Sequence, residues 1–128
     1  MINLEISIFG SKWWRRHPGQ NHRLNGPAIQ FIDGHIEYWV NHQMHRTDGP
    51  ARIWPNGYVD YWVNDCMHRL DGPARMWPNG RLEYWVNHQL HRTDGPARIL
   101  EDGTHEYWVN GNQLTEYEYM FITTQEHV

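Results

Sequence analysis

The chain has 128 residues, of which 11 are Lys or Arg and 15 are Asp or Glu, giving a formal net charge of -4. This length suits one domain, and the acidic balance disfavours nucleic acid and an anionic membrane as partners. A lone cysteine, Cys66, allows no internal disulfide, and no stretch resembles a signal peptide or a transmembrane helix, so we expect a cytoplasmic protein. The 8 Trp and 7 Tyr must therefore stack in a core, face a partner, or both.

The first 21 residues are predicted to cap a repeat array with strands. Residues 3–8 alternate as a β-strand does, and Lys12-Trp13-Trp14 resembles a degenerate copy of a motif that recurs later. The run Trp13-Trp14-Arg15-Arg16 is basic and aromatic and could touch phosphate or a base, but terminal units of repeat arrays are usually atypical. We interpret residues 1–21 as the N-terminal cap.

A 23-residue repeat follows, which reads HRxDGPAxxxxxGxxxYWVNxxx. Its four copies occupy residues 22–44, 45–67, 68–90 and 91–114. Columns of glycine and proline exclude helix, and the segments between them are rich in Ile, Val, Tyr and Trp, as strands are. Such periodicity predicts an all-β fold, an elongated antiparallel β-sheet array whose units pack on their neighbours.

Two turns set the register within each repeat. The loop Pro55-Asn56-Gly57 fits a three-residue hairpin turn, which places Arg52 opposite Asp60. The same count opposes Arg75 to Glu83 and Arg98 to Glu106. A two-residue turn is predicted at Asn41-His42, Asn64-Asp65, Asn87-His88 and Asn110-Gly111.

This register divides the side chains between two faces. The apolar face, predicted to form the core, carries Ala51, Ile53, Val59, Tyr61 and Val63. The other face carries Arg52, Trp54, Asp60 and Trp62. In the DGPA loops we expect the aspartate to accept backbone N–H groups and the arginine to bridge to a neighbouring coil, with a positive φ at Gly72.

Residues 115–128 are predicted to form a short capping helix and a tail. Thr115 and Glu118 have the spacing of a capping box, in which each side chain bonds to the backbone N–H of the other residue. They precede Tyr119, Met120 and Phe121, whose apolar side chains could cover the last repeat.

The repeat resembles the MORN-type β-hairpin unit, which also spans 23 residues with aromatic, Asn-Gly and His-Gly positions in similar order. The HRxDGPA version, with its Leu114-Thr115-Glu116 ending, is similar to repeat proteins of bacteriophages and giant viruses, and the resemblance covers about residues 12–121. It implies an all-β scaffold of the kind that serves as an adaptor, a dimerisation module, a lipid-associated protein or an antitoxin. HRxDGPA replaces the standard His-Gly-x-Gly, so the resemblance does not carry lipid association to this chain.

No metal, cofactor or catalytic residue is predicted. Equivalent histidines lie one repeat apart, roughly 10 Å or more, whereas ligands of one zinc ion lie about 2.0–2.1 Å from it. The first histidine of the HxxH pair becomes Asp65 in the second copy and Gly111 in the fourth, so we assign the histidines to structural hydrogen bonds. Groups copied four times do not form one asymmetric catalytic constellation, and Cys66 stands where other copies have Gln43 and Gln89.

The tryptophan columns are the candidate binding site. The column of Trp39, Trp62, Trp85 and Trp108 forms either an internal ladder or an exposed strip. Trp54 and Trp77 occur only in the two central repeats, which suits the centre of an interface. The predicted protein-binding residues are Trp54, Trp77, Trp62, Trp85, Arg52, Arg75, Asp60 and Glu83.

The sequence therefore predicts a non-enzymatic binding protein, an adaptor or inhibitor. The resemblance adds a viral source, a host or viral protein as partner and the host cytoplasm as location. Two alternatives stay open. One is a small-ligand binder that holds a glycan or nucleotide between Trp rings and Arg side chains, and the other is a structural module that forms homo-oligomers.

Overall fold

The computed structural model describes residues 1–16 and 19–126. Its fold class is all-β, with antiparallel strands and one short C-terminal helix, as the repeat predicted. The chain forms two compact units, unit 1 (Met1–Cys66) and unit 2 (Met67–Val128). Residues 17–18 of the predicted N-terminal cap and residues 127–128 of the predicted tail lie outside the described residues.

Unit 1 is built from short strands paired in chain order. They are β1 (Ile2–Ile6), β2 (Lys12–Arg16), β3 (Gln20–Asn21), β4 (Ile29–Gln30), β5 (Ile36–Glu37), β6 (Trp39–Val40), β7 (Gln43–Met44), β8 (Arg52–Ile53), β9 (Val59–Asp60) and β10 (Trp62–Val63). The antiparallel path runs β1-β2-β4-β5-β8-β9, and β3 pairs with β2. β6 and β7 form a separate hairpin.

Unit 2 repeats this plan and ends in the helix. Its elements are β12 (Arg75–Met76), β13 (Leu82–Glu83), β14 (Trp85–Val86), β15 (Gln89–Leu90), β16 (Arg98–Ile99), β17 (His105–Val109), β18 (Asn112–Leu114) and α1 (Glu116–Glu126), while β11 (Cys66–Met67) spans the boundary in sequence. The antiparallel path runs β12-β13-β16-β17-β18, and β14 and β15 form a hairpin.

The predicted register is confirmed. Arg52 lies opposite Asp60, Arg75 opposite Glu83, and Arg98 opposite Glu106. The three-residue turn is also as expected, because Gly57 has a φ of 96° and its N–H donates to the Trp54 carbonyl at 3.0 Å. The two-residue turns have two consecutive left-handed residues, as at Asn41 (φ 53°) and His42 (φ 60°), which matches the twist of a hairpin.

The predicted core face is only partly right. Ala51 is completely buried, but Ile53, Val59, Tyr61 and Val63 are only half-buried. Instead, the largest fully buried side chains are carboxylates from the face predicted to bind a partner, Asp60 (0% exposed) and Glu83 (1%). The buried apolar side chains include the alanine that follows the Gly-Pro pair of each loop, together with Ile29, Met44, Tyr58, Met67, Leu90 and Tyr119. Carboxylates can be buried here because neighbouring side chains satisfy their oxygens.

The glycine of the DGPA loop serves a different purpose from the one predicted. The φ of Gly72 is not positive. A Cβ there would lie 2.9 Å from the Arg69 Cζ, and at Gly49 it would lie 2.8 Å from the Arg46 Cζ. Glycine is therefore needed so that the arginine of the loop can pack flat against the backbone.

The loop arginine is held on both sides. The Arg46 Cζ lies 3.9 Å from the centroid of the Tyr38 ring in the preceding repeat, which confirms the predicted bridge to a neighbouring coil. Its Nη1 donates to the Pro50 carbonyl at 3.0 Å. The loop aspartate was predicted to accept a backbone N–H, but its partner is this same arginine. Arg46 Nε donates to Asp48 Oδ1 at 3.0 Å.

The C-terminal helix caps the fourth repeat within unit 2. The predicted capping box is present, with the Thr115 N–H donating to Glu118 Oε1 at 3.0 Å and the Glu118 N–H donating to Thr115 Oγ1 at 3.1 Å. Tyr119 is buried against Tyr107, and its hydroxyl accepts the Gly95 N–H at 2.8 Å. Among the described residues, no helix has both the length and the apolar character that crossing a membrane requires.

Candidate binding face

The buried carboxylate of Asp60 organises the face in unit 1. Arg52 from the opposite strand donates Nε to Oδ1 at 3.0 Å and Nη2 to Oδ2 at 2.6 Å. The Tyr58 hydroxyl donates to Oδ2 at 2.9 Å, and Trp62 Nε1 donates to Oδ1 at 2.9 Å. Three planar side chains are therefore fixed by one acid, and their hydrogen bonds offset its desolvation. Burial lowers the pKa of Arg52, but its contacts with Asp60 more than compensate, and the pKa is raised.

Glu83 has the same position in unit 2 and accepts hydrogen bonds from three arginines. Arg81 donates to its Oε2 at 2.9 Å, Arg98 to its Oε2 at 3.0 Å, and Arg75 to its Oε1 at 3.4 Å. Trp85 Nε1 also donates to Oε1 at 2.9 Å. Burial alone would raise the pKa of Glu83, but the hydrogen bonds from Arg81 and Trp85 and the charges of Arg98 and Arg75 lower it.

Every tryptophan of the fourfold column is tied to the acid two residues before it. The indole N–H donates to that carboxylate in Trp39–Glu37, Trp62–Asp60, Trp85–Glu83 and Trp108–Glu106, at 3.0, 2.9, 2.9 and 3.0 Å. All four tryptophans are half-buried. The column therefore presents ring surface to solvent, while its N–H donors are used inside the fold.

A stack of rings extends across unit 1. The Phe31 and His35 rings lie 4.3 Å apart and nearly parallel, and the His35 and Trp54 rings are also 4.3 Å apart. Trp54 then meets Tyr58 edge-on at 5.0 Å. His35 is further fixed by a contact of its Nε2 with Glu37 Oε2 at 3.0 Å. Sequence reasoning missed His35, although its position across the turn from Phe31 was a usable signal.

The arginines of the face lie over its tryptophans. The Arg52 Cζ is 4.9 Å from the Trp54 ring and 5.3 Å from the Trp62 ring. In unit 2, Arg75 and Arg81 approach the Trp77 ring at 4.6 and 5.0 Å. Sequence reasoning did not include Arg81. It occupies the position that Tyr58 has in unit 1, and only the structure shows that it reaches the acid.

The predicted binding residues thus separate into two layers. We call Arg52, Trp54 and Trp62 the Trp/Arg strip of unit 1, and Arg75, Trp77 and Trp85 the Trp/Arg strip of unit 2; all six are half-buried. Asp60 and Glu83 lie beneath these strips and are too buried to contact a partner directly. Their assignment as interface residues is corrected: they position the residues above them.

The histidine column makes the structural hydrogen bonds that were predicted. Nδ1 of each accepts the backbone N–H of the asparagine that opens a two-residue turn, in His22–Asn41, His45–Asn64, His68–Asn87 and His91–Asn110. Burial and the Arg16 charge lower the pKa of His22. Among the residues that the structure describes, no three His, Cys, Asp or Glu side chains are grouped so as to hold a metal ion.

The second residue of the turn also has a role that sequence reasoning missed. His42 Nδ1 accepts the Asn21 N–H at 3.0 Å, and Asp65 Oδ1 accepts the Met44 N–H at 2.7 Å, 21 residues back in each case. Histidine and aspartate can both supply this acceptor, which explains how aspartate can replace histidine there. In the fourth copy Gly111 has no side chain to do so.

A groove lies between adjacent loops in each unit. Arg23, Tyr38 and Arg46 line the groove of unit 1, which has a volume of about 530 Å³. Arg69, Tyr84 and Arg92 line the corresponding groove of unit 2, of about 550 Å³. The exposed leucines Leu24 and Leu70 stand at their rims.

Comparison with known proteins does not assign a function, so the interpretation rests on the geometry described above. The MORN-like resemblance stays a prediction, and so does the viral source that it suggested. No protein-family model matches the chain, and no curated protein matches it.

Proposed function

We propose that the chain is a non-enzymatic binding protein that engages another protein through its Trp/Arg strips. The observation that carries the proposal is the arrangement at Asp60, where one fully buried carboxylate fixes Arg52, Tyr58 and Trp62 while Arg52 also lies over Trp54. Rigid aromatic and guanidinium groups bind partners well because little side-chain entropy is lost on association.

The chemistry of the strips favours a protein as the partner. The indole N–H groups of Trp62 and Trp85 already bond to acids within the fold, so these rings offer flat apolar surface bordered by guanidinium edges. Such a surface complements apolar side chains flanked by carboxylates. The surroundings of the unit 2 strip carry a net positive charge, since Arg75, Arg81 and Arg98 surround the acids Glu83 and Glu106.

The MORN-like resemblance supports the scaffold part of this proposal. It makes a cytoplasmic host protein the first kind of partner to test. A repeated scaffold also suits binding better than catalysis, because the same groups recur in successive copies.

The experiment compares three immobilised forms of the full chain in partner capture. They are the wild type, the strip variant Trp54→Ser/Trp77→Ser, and the control Leu24→Ser/Leu70→Ser, which removes exposed apolar side chains away from the strips. Circular dichroism first establishes that all three are folded. We expect a protein that the wild type and the control retain and that the strip variant binds at least tenfold more weakly, which is about 1.4 kcal/mol.

Equal binding of that protein by all three forms would refute the assignment of the strips. If glycans or nucleotides bind to the wild type but not to the strip variant, and no protein partner is captured, the small-ligand function replaces the proposed one. The single substitution Trp77→Ser tests the charge argument, since the binding of an acidic partner should depend more on the unit 2 strip than on the unit 1 strip.

A further inference from the structure

The first strand presents an apolar face that unit 1 leaves uncovered. All five residues of β1 are exposed, and Ile2, Leu4 and Ile6 alternate onto one side at 41%, 50% and 59% exposure. In the described residues β1 pairs with β2 and with no other strand. Alternating apolar residues on an exposed strand are typical of a surface that another element covers.

Positive charge borders this apolar face. Ile2 lies opposite Arg16, and Ile6 lies opposite Lys12, so both cations share the side of the sheet that carries Ile2, Leu4 and Ile6. Between them Leu4 lies opposite Trp14, whose ring is covered by the Arg23 guanidinium at 3.9 Å. The surface is therefore an apolar centre with basic surroundings.

In unit 2, α1 presents the complementary combination. Tyr119 packs inward, while Tyr117, Met120 and Phe121 are 82%, 59% and 59% exposed. Their spacing, three and four residues apart, places them along one side of the helix. The first turn contains Glu116 and Glu118, and the last turn has no basic residue.

A groove beside the helix adds room for an apolar side chain. It has a volume of about 380 Å³ and is lined by Pro96, Tyr107, Glu116, Met120 and other residues of the fourth repeat and α1. Its wall combines rings and aliphatic surface with a carboxylate. A strand with alternating Ile and Leu, bordered by Lys and Arg, fits these properties.

We propose that the outer face of α1 binds the apolar face of β1 of a second copy of this chain. The two surfaces are different, so the interface is heterologous: each molecule offers one donor face and one acceptor face, and copies can add in series. The faces are small, which predicts a weak association with a Kd of roughly 10 µM to 1 mM. Added salt weakens it, because Lys12 and Arg16 then attract Glu116 less.

Sedimentation equilibrium of the full chain over a range of concentrations tests the proposal. Leu4→Lys breaks the strand face, and Phe121→Ser breaks the helix face. Leu70→Ser is the control, since it removes an exposed apolar side chain from a different surface. We expect each face variant to associate at least tenfold more weakly than the wild type, and the control to be unchanged.

The decisive sample is an equimolar mixture of the two face variants. Each keeps one intact face, so the mixture should form a heterodimer of wild-type affinity that adds no third copy.

Self-association of Phe121→Ser with wild-type affinity would overturn the proposal and indicate pairing between β1 strands. A wild type that stays monomeric up to about 1 mM would overturn it as well. The strip variant Trp54→Ser/Trp77→Ser should associate normally, which separates this interface from the proposed function.

Discussion

Asp60 in unit 1 and Glu83 in unit 2 occupy the same column of the repeat and are buried to the same degree, yet they have different partners. Asp60 pairs with Arg52 and receives further hydrogen bonds from Tyr58 and Trp62. Glu83 has arginines on three sides and one tryptophan. The exchange of Tyr58 for Arg81 at one turn position accounts for much of the difference.

The two units share the geometry around the buried carboxylate and differ in the charge of the groups that donate to it. In both units a buried carboxylate collects donors from the strand opposite and from residues two positions away. Neutral hydroxyl and charged guanidinium donors can fill the same place, because a carboxylate accepts either.

Glu83→Gln should have the largest effect. The substitution keeps the size of the side chain but leaves three arginines close together without their buried counter-charge. We expect a loss of about 3 kcal/mol in the free energy of unfolding, measured by urea denaturation. The control is Asp71→Asn, whose side chain is 87% exposed beside Arg69 and should change stability by less than about 1 kcal/mol. Equal effects of the two would contradict the role given to burial.

Asp60→Asn should cost less, about 2 kcal/mol in the same measurement. It weakens the hydrogen bonds from Tyr58 and Trp62 and removes the counter-charge of Arg52, whose side chain is 25% exposed and can turn to water. A loss greater than that of Glu83→Gln would show that the charges of Arg75, Arg81 and Arg98 do not make Glu83 the more important acid.

The DGPA glycines should behave alike in the two units, in contrast to the acids. Gly49→Ala and Gly72→Ala each place a Cβ within 2.9 Å of an arginine Cζ, so each should destabilise the fold by about 1 kcal/mol. In an Arg46→Ala background, Gly49→Ala should be neutral or stabilising, since alanine restricts the unfolded chain more than glycine does. A double-mutant cycle by thermal unfolding measures this; an unchanged penalty would mean that close approach is not the reason for glycine.

Acidification should produce the smallest effect, and we assign it to His22 in unit 1. Its pKa is lowered from the ordinary value of 6.5 by burial and by the Arg16 charge, so the unfolded chain binds the proton more readily. The stability that neutral His22 contributes is complete above pH 6.5. It is lost as the pH falls through the lower pKa that His22 has in the folded state. In His22→Gln, which keeps an acceptor for the Asn41 N–H, stability should fall less over the same range. Identical pH profiles would exclude His22 as the cause.

Much of the backbone could be predicted because local chemistry determines it. Pro55-Asn56-Gly57 fixed the hairpin register, and the opposition of Arg75 to Glu83 supported it independently. The turns with two left-handed residues followed from the Asn-Gly pair at Asn110-Gly111 and its equivalents.

The burial of Asp60 and Glu83 could not be predicted in the same way. Hydropathy places carboxylates at the surface, and their satisfaction depends on how many donors converge in three dimensions. The glycine of the DGPA loop was misinterpreted for a related reason. Its neighbour, the Arg69 guanidinium, comes close only after the side chain has folded back over the loop.

Hydrogen exchange of the tryptophan indole N–H groups, followed by NMR, measures whether the acids of the repeat hold the tryptophan column in place. We expect slow exchange for Trp39, Trp62, Trp85 and Trp108, whose N–H groups donate to those acids. In Asp60→Ala, Trp62 should lose its protection while Trp39, bonded to Glu37, keeps it. Fast exchange of all four in the wild type, or unchanged protection of Trp62 in Asp60→Ala, would show that the acids do not hold the column.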